Sequence, residues 1–175
     1  MTDIIFIMAQ AFGIIACILS VISMLSKSIT GALIFQMLAN VTIAINFGFT
    51  NGFSGAIVCI IGSVQTLTMF IIRSKGKEPE RWLLVLFLAA YIIASVVTFS
   101  YWFDILSAVA AITFAVAVMQ KKPANYRIIM LINSCLWLVF DFCAESYGAI
   151  ITHTVILISI IAGMIKNDIK KNKAE

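Results

Sequence analysis

Residues 128–166, IIMLINSCLWLVFDFCAESYGAIITHTVILISIIAGMIK, set Asp141, Glu145 and the only histidine of the chain, His153, into two otherwise apolar runs. Runs of this kind read as membrane-spanning helices, each of which needs about 20 residues. An ionised side chain in the middle of such a helix costs roughly 2.5–3.5 kcal/mol on insertion scales, so it usually faces a protein interior or a wet cavity and marks a working site. The first half of the chain repeats the pattern. Moving residues 37–73 forward by 93 lays them without a gap on residues 130–166. Met37-Leu38-x-Asn40 then falls on Met130-Leu131-x-Asn133, Phe47-x-Phe49 on Phe140-x-Phe142, and Gly55-Ala56-Ile57 on Gly148-Ala149-Ile150. Chance matches of Leu, Ile or Phe are cheap in membrane sequence, whereas an ungapped run that also pairs Asn with Asn and Gly with Gly is less so.

The totals agree. Of 175 residues, 62% are hydrophobic and 11% charged, with mean hydropathy +1.09, whereas a soluble domain is nearer ~45–50% apolar. Seven helices leave only short connections and no room for a soluble catalytic domain. MTDIIF carries Asp3 and no Lys or Arg, so it lacks the basic start of a secretory signal and is expected to stay in the mature protein. Cys17, Cys59, Cys135 and Cys143 lie in apolar runs without CxxC spacing and read as packing residues. A single histidine cannot supply a bis-histidine haem site, and no cofactor is expected.

Helices are expected at 4–25, 30–49 and from a turn at 50–55 to 72, with a hydrophilic linker at 73–81. A fourth, at 82–99, is aliphatic and aromatic with no ionisable residue inside it, and reads as a passive linker. The fifth follows the turn at 100–104 and ends at Gln120. The basic loop 121–127 leads into the sixth, the seventh follows Glu145-Ser146-Tyr147, and a charged, frayed tail begins at Lys166.

Lys and Arg collect on the cytoplasmic side. One lies in the first such loop (Lys27), four in the linker (Arg73, Lys75, Lys77, Arg81), three before the sixth helix (Lys121, Lys122, Arg127) and four in the tail (Lys166, Lys170, Lys171, Lys173). With seven spans all twelve share one side, which places the N-terminus outside and the C-terminus in the cytoplasm. The net charge of +4 is then explained by topology and does not suggest nucleic acid. The expected fold is all-α and polytopic, a 3+1+3 arrangement: 1–73 is the first three-helix repeat, 74–100 the basic loop and linker helix, 101–166 the second repeat and 167–175 the tail. A single linker helix gives both repeats the same orientation, so they are parallel, related by an axis along the membrane normal, with any shared pocket near that axis at mid-depth.

This architecture, with Cys135-Leu136-Trp137-Leu138-Val139-Phe140 in the second hairpin, resembles the SWEET and SemiSWEET sugar facilitators of the PQ-loop group. That resemblance implies a sugar pocket lined by a tryptophan, matched by Trp137, and by an asparagine, whose place falls to His153. Ala44 and Ile60 stand at the equivalent places of the first repeat, and the only prolines, Pro79 and Pro123, lie in loops rather than at hinges. A closer likeness is to YgjV-like bacterial inner-membrane proteins, carried by Ala9-Gln10 with Gly13, Gln65-Thr66-Leu67 and the Trp137 hairpin. It implies a fold and a location more than an activity.

Six residues are candidates for contact with a solute. Asn40 and Asn133 hold the same place in the two repeats and offer donors and acceptors across a central axis, or else bond between helices. His153 carries the only side-chain type here that titrates unaided near neutral pH, with Asp141 or Glu145 as its partner. Trp137 and Asp141 lie four residues apart on one helical face. Gln65 is a single amide in an apolar run. Glu145 otherwise reads as a solvated loop residue, and the glycines as close-packing positions. The expected function is transport of a small polar solute, a sugar or another metabolite, by alternating access, downhill or with a proton, in the bacterial inner membrane. The alternative is a non-transporting membrane subunit that holds another protein. No HExxH or GxSxG motif points to an enzyme, and a homo-oligomer is compatible with either reading.

Overall fold

A computed structural model describes residues 3–49, 53–143 and 147–169. Those residues form seven α-helices, α1 Asp3–Leu25, α2 Ile29–Phe49, α3 Phe53–Ser74, α4 Arg81–Thr98, α5 Asp104–Val118, α6 Pro123–Cys143 and α7 Tyr147–Met164, with a π-helical turn Ile165–Ile169 after the last. Six are long and apolar enough to cross a membrane, and α5, of 15 residues, is shorter. The expected turn at Asn51-Gly52 and the residue Glu145 lie outside the described residues. The tail expected to fray from Lys166 is instead helical as far as Ile169.

Many small side chains lie in the interior, beside larger ones such as Met24, Leu33 and Met69, while many large aliphatic ones face out. Ala9, Ala16, Ala32, Ala39, Ala110, Ala111, Ala115 and Ala117 are buried, while Ile14, Ile18, Val85, Val96, Val97, Ile151 and Ile158 are exposed. Hydrocarbon tails are as apolar as leucine, so burying leucine gains little in a bilayer, and close approach of backbones over small residues holds helices together. Around the molecule α1 packs on α2 and α7, α2 on α3, α3 on α5, α5 on α6 and α6 on α7, and α2 also touches α6; α4 lies against α3 and α5.

Helix ends are fixed by local chemistry. Ser28 Oγ accepts the Gly31 N–H at 3.0 Å and so caps the start of α2. After α3, Gly76 adopts φ 70°. There the Gly76 N–H reaches the Arg73 carbonyl at 3.0 Å and the Lys77 N–H reaches that of Ile72 at 3.1 Å, the paired bonds of a Schellman stop that needs a left-handed residue. Asp104 accepts the N–H groups of Ser100 and Tyr101 at 2.8 and 2.7 Å, which folds the turn ahead of α5. Pro123 opens α6, where its missing N–H costs nothing, so the stretch expected to be a basic loop up to Arg127 is already helix.

Arg127 is therefore no loop residue. It is 1% exposed, and it donates from Nε to the Met24 carbonyl at 2.9 Å and from Nη2 to that of Ser26 at 2.5 Å. A cation on the orphan carbonyls at the end of α1 satisfies them and complements the helix dipole. Asn167 adds a bond to the Leu25 carbonyl at 3.2 Å. On the other flank Arg73 donates to the Met119 carbonyl at the end of α5 at 3.0 Å, and Lys121 pairs with Glu78 between the two connections.

Gly163 is what lets α7 approach this lock. A methyl there would stand 2.5 Å from the Met24 carbonyl oxygen and 3.3 Å from Arg127 Nε. Backbone cannot yield as a side chain does, so Gly163→Ala is expected to destabilise the protein by roughly 1–3 kcal/mol, against the gain of about 1 kcal/mol that alanine brings to an unobstructed helix. Thermal unfolding of the two purified proteins in the same detergent checks the sign.

Candidate functional site

Asp141 and Trp137 lie one turn apart on α6, and His153 faces them from α7. Asp141 is 3% exposed, and its Oδ2 lies 2.5 Å from His153 Nδ1. The indole of Trp137 is parallel to the imidazole within 4°, with ring centroids 5.9 Å apart. On its other side Trp137 meets Phe140 edge-on at 5.4 Å, and Phe140 meets Phe103, ahead of α5, at 5.5 Å. A carboxylate against Nδ1 fixes the imidazole orientation, and the indole lies parallel to its plane. The imidazole retains some exposure, its side chain being 20% accessible against 5% for Asp141. The imidazole edge of the pair is thus reachable while the carboxylate stays covered.

The remaining candidates lie elsewhere. Asn133 gives its amide N–H groups to α5, to the Ala110 carbonyl at 2.6 Å and to Thr113 Oγ1 at 3.1 Å. This is interhelical bonding of the kind its sequence position also allowed. Asn40, its counterpart in the repeat, accepts from Gln36 Nε2 at 3.2 Å, but its own Nδ2 has no hydrogen-bond partner although the residue is 8% exposed. Gln65 is fully buried. It donates to the Ala115 carbonyl of α5 at 3.2 Å and accepts from the Tyr91 hydroxyl of α4 at 3.2 Å. The six candidates thus fall into three groups: the Asp141–His153–Trp137 cluster, Asn133 against α5, and Asn40 with Gln65 near mid-depth.

Around Asn40 the structure adds residues that the sequence did not single out. Tyr126 reaches Gln36 Oε1 at 3.5 Å and Ser23 Oγ at 3.4 Å, and Ser23 donates to the Ala32 carbonyl at 2.8 Å. Polar contacts therefore run from α1 through α6 to α2, and from α4 through α3 to α5. Between these two strings stands Gly62 of α3, whose absent side chain would meet Asn40 Nδ2 at 3.0 Å, Tyr91 Oη at 3.2 Å and Phe114 at 3.4 Å. Tyr91 is 1% exposed and makes α4 part of this network rather than a passive linker. Gln36 had a readable signal, an amide four residues before Asn40 on the same helical face. Tyr91 and Tyr126 had none, since an isolated tyrosine in apolar sequence looks like filling.

An open groove lined by Glu78, Pro79, Arg81, Leu84, Met119 and Lys121 lies on the connections flanking α4 and α5, and contains none of the six. Among the described residues, no three His, Cys, Asp or Glu side chains come together as metal ligands would.

No curated protein and no solved structure matches the chain, so the likeness to SWEET facilitators gains no support from either. A family model does match, over residues 7–171. With nearly the whole chain covered and several spanning helices in place, this multi-pass protein belongs to the Imp-YgjV family of bacterial inner membrane proteins.

Proposed function

We propose that the chain is a small-solute transporter that exchanges a proton at the Asp141–His153 pair while its two halves rock about a polar centre at mid-depth. The halves are α1–α3 and α5–α7, standing the same way up about an axis along the membrane normal, with α4 as linker, the N-terminus outside and the C-terminus in the cytoplasm.

The observation that carries this reading is the Asp141–His153 pair itself, 2.5 Å apart, with the carboxylate buried among apolar helices. Holding an ionisable pair there is costly, and in membrane proteins such pairs recur in proton relays. The packing supports the two-halves reading. The seams α1 against α7 and α3 against α5 exchange under the 93-residue shift of the sequence repeat. The bonds that close their inner ends, Asn167 to Leu25 and Arg73 to Met119, join positions adjacent to each other's equivalents. Two halves with matched seams can tilt without opening either half, which is what alternating access requires.

The solute is small and polar, a sugar or another metabolite, because the buried groups near mid-depth are amides and hydroxyls. Reconstituted into liposomes with an imposed pH gradient and offered a panel of sugars and amino acids, the protein is expected to give proton-driven currents with one class. Asp141→Asn and His153→Gln should each lose about 100-fold or more of that component, the scale set by removing a positioned proton-transfer group. Asn133→Ala should keep the current while losing roughly 0.6 kcal/mol of stability, the average for one interhelical bond. Absence of current with every solute, or unaltered currents in the two site variants, overturns the proposal.

Orientation has its own check. In a variant lacking the four native cysteines, Lys77→Cys should react with an impermeant maleimide only after the membrane is opened, and Tyr101→Cys should react in intact cells. The reverse pattern would place the N-terminus inside.

A further inference from the structure

We infer that Asn40 and Tyr91 form a binding site for one hydroxyl group, seated over Gly62 where α2, α3, α4 and α5 converge. Gln36 Nε2 donates to Asn40 Oδ1, Tyr91 donates to Gln65 Oε1, and Gln65 Nε2 donates to the Ala115 carbonyl. Every bond in this sequence runs the same way, from donor to acceptor toward α5. The sequence is interrupted once, between Asn40 Nδ2, a donor with no acceptor, and Tyr91 Oη, whose proton is committed to Gln65 while its lone pairs remain.

A group that fits there must accept from the amide and donate to the phenol. A carbonyl or carboxylate oxygen only accepts and an ammonium only donates, so neither completes both bonds. A hydroxyl oxygen does both. The location is consistent, because both atoms border the bare backbone of Gly62, 3.0 and 3.2 Å from where its Cβ would stand, near enough to each other for one small group lying against that backbone to bridge them. Glycine at residue 62 is what leaves that approach free. An amide N–H buried without a partner costs on the scale of a lost hydrogen bond or more, and the cost is heavier in a site shielded by Tyr91 and Phe114. The hydroxyl comes either from a water molecule or from a polyol-like solute, and only the second source rests on the transporter reading.

The test uses the order of substitutions at Gly62 in the full-length protein in lipid nanodiscs. Gly62→Ala puts a methyl beside the two polar atoms, leaving Asn40 Nδ2 without an acceptor while Tyr91 keeps only its bond to Gln65. Gly62→Ser carries the same Cβ with a hydroxyl one bond beyond it, able to accept from Asn40 Nδ2 and to donate to Tyr91 Oη. Steric crowding or helix propensity alone ranks alanine above serine; the hydroxyl site ranks serine above alanine, by roughly 2–4 °C in Tm, the shift expected from one buried hydrogen bond in a chain of this size. A double-mutant cycle between Asn40→Leu and Tyr91→Phe should show coupling in the wild-type background and none in Gly62→Ala. Alanine at or above serine, or no coupling in the cycle, overturns the inference. Glycerol and glucose as probes separate the sources: a rise in wild-type Tm that Gly62→Ala abolishes identifies a solute hydroxyl, whereas the serine-over-alanine order without any such rise identifies water. Because the ranking is read in stability, it stands or falls independently of whether transport is found.

Discussion

A hydrogen-bonding group in hydrocarbon has no water to fall back on, and the interior of this protein is arranged around that constraint. Buried Gln65, Asn133 and Arg127 each span from one helix to a backbone carbonyl of another. One of these carbonyls, at Ala110, lies inside α5 and serves its own ladder, so the incoming N–H uses its second lone pair, whereas the one at Ala115 is in the last turn of α5. The third is at the end of α1, where carbonyls lack helical partners altogether. Alanine dominates the buried face of α5 because only a small side chain leaves those carbonyls within reach of neighbours.

The same constraint explains why Asn40 and Asn133, which the 93-residue shift of the sequence aligns, behave differently. Asn133 finds acceptors in α5 and is spent on holding α5 to α6. Asn40 turns instead toward α3, where Gly62 admits it to the neighbourhood of Tyr91. In the repeat alignment the residue matching Gly62 is Val155, which offers no such entry. A repeat conserves where a side chain is placed along its helix, but its partners depend on which small residue the facing helix carries.

That distinction also marks what could be read from the chain. Helix positions were legible because spanning length and apolar content leave little freedom; the boundaries of α1, α2 and α4 fall within a residue or so of those expected. Trp137, Asp141 and His153 were legible because charge and imidazole are rare and costly in such a setting, and α6 and α7 are adjacent hairpin partners. The start of α6 was misread since Lys121, Lys122 and Arg127 resemble one basic loop, whereas Pro123 begins a helix and turns Arg127 inward. Tyr91 was hidden for a different reason: in an aliphatic helix only its hydroxyl distinguishes it from phenylalanine, and the value of that hydroxyl depends on Gln65, 26 residues away.

The separate polar groups are tied together by a single element. Tyr126, Met130, Asn133, Trp137 and Asp141 recur along α6 at intervals of three and four, which puts them on one stripe of the helix. Its N-terminal end is pinned by Arg127 to the carbonyls of α1, its middle by Asn133 to α5, and its C-terminal end carries the carboxylate paired with His153. Asp141 lies about 21 Å along the axis from Arg127 at 1.5 Å per residue, so a small tilt about the Arg127 lock becomes a displacement of ångströms at the carboxylate. The contacts beside the lock that such a tilt would first disturb are the long ones from Tyr126 to Gln36 and Ser23, at 3.5 and 3.4 Å, which are the weakest in the network. Asn133 obliges α5 to follow, and α5 carries the carbonyl that anchors Gln65. Contacts thus run without a break from the Asp141–His153 pair, along α6 and through α5, to Gln65 and the neighbourhood of Asn40.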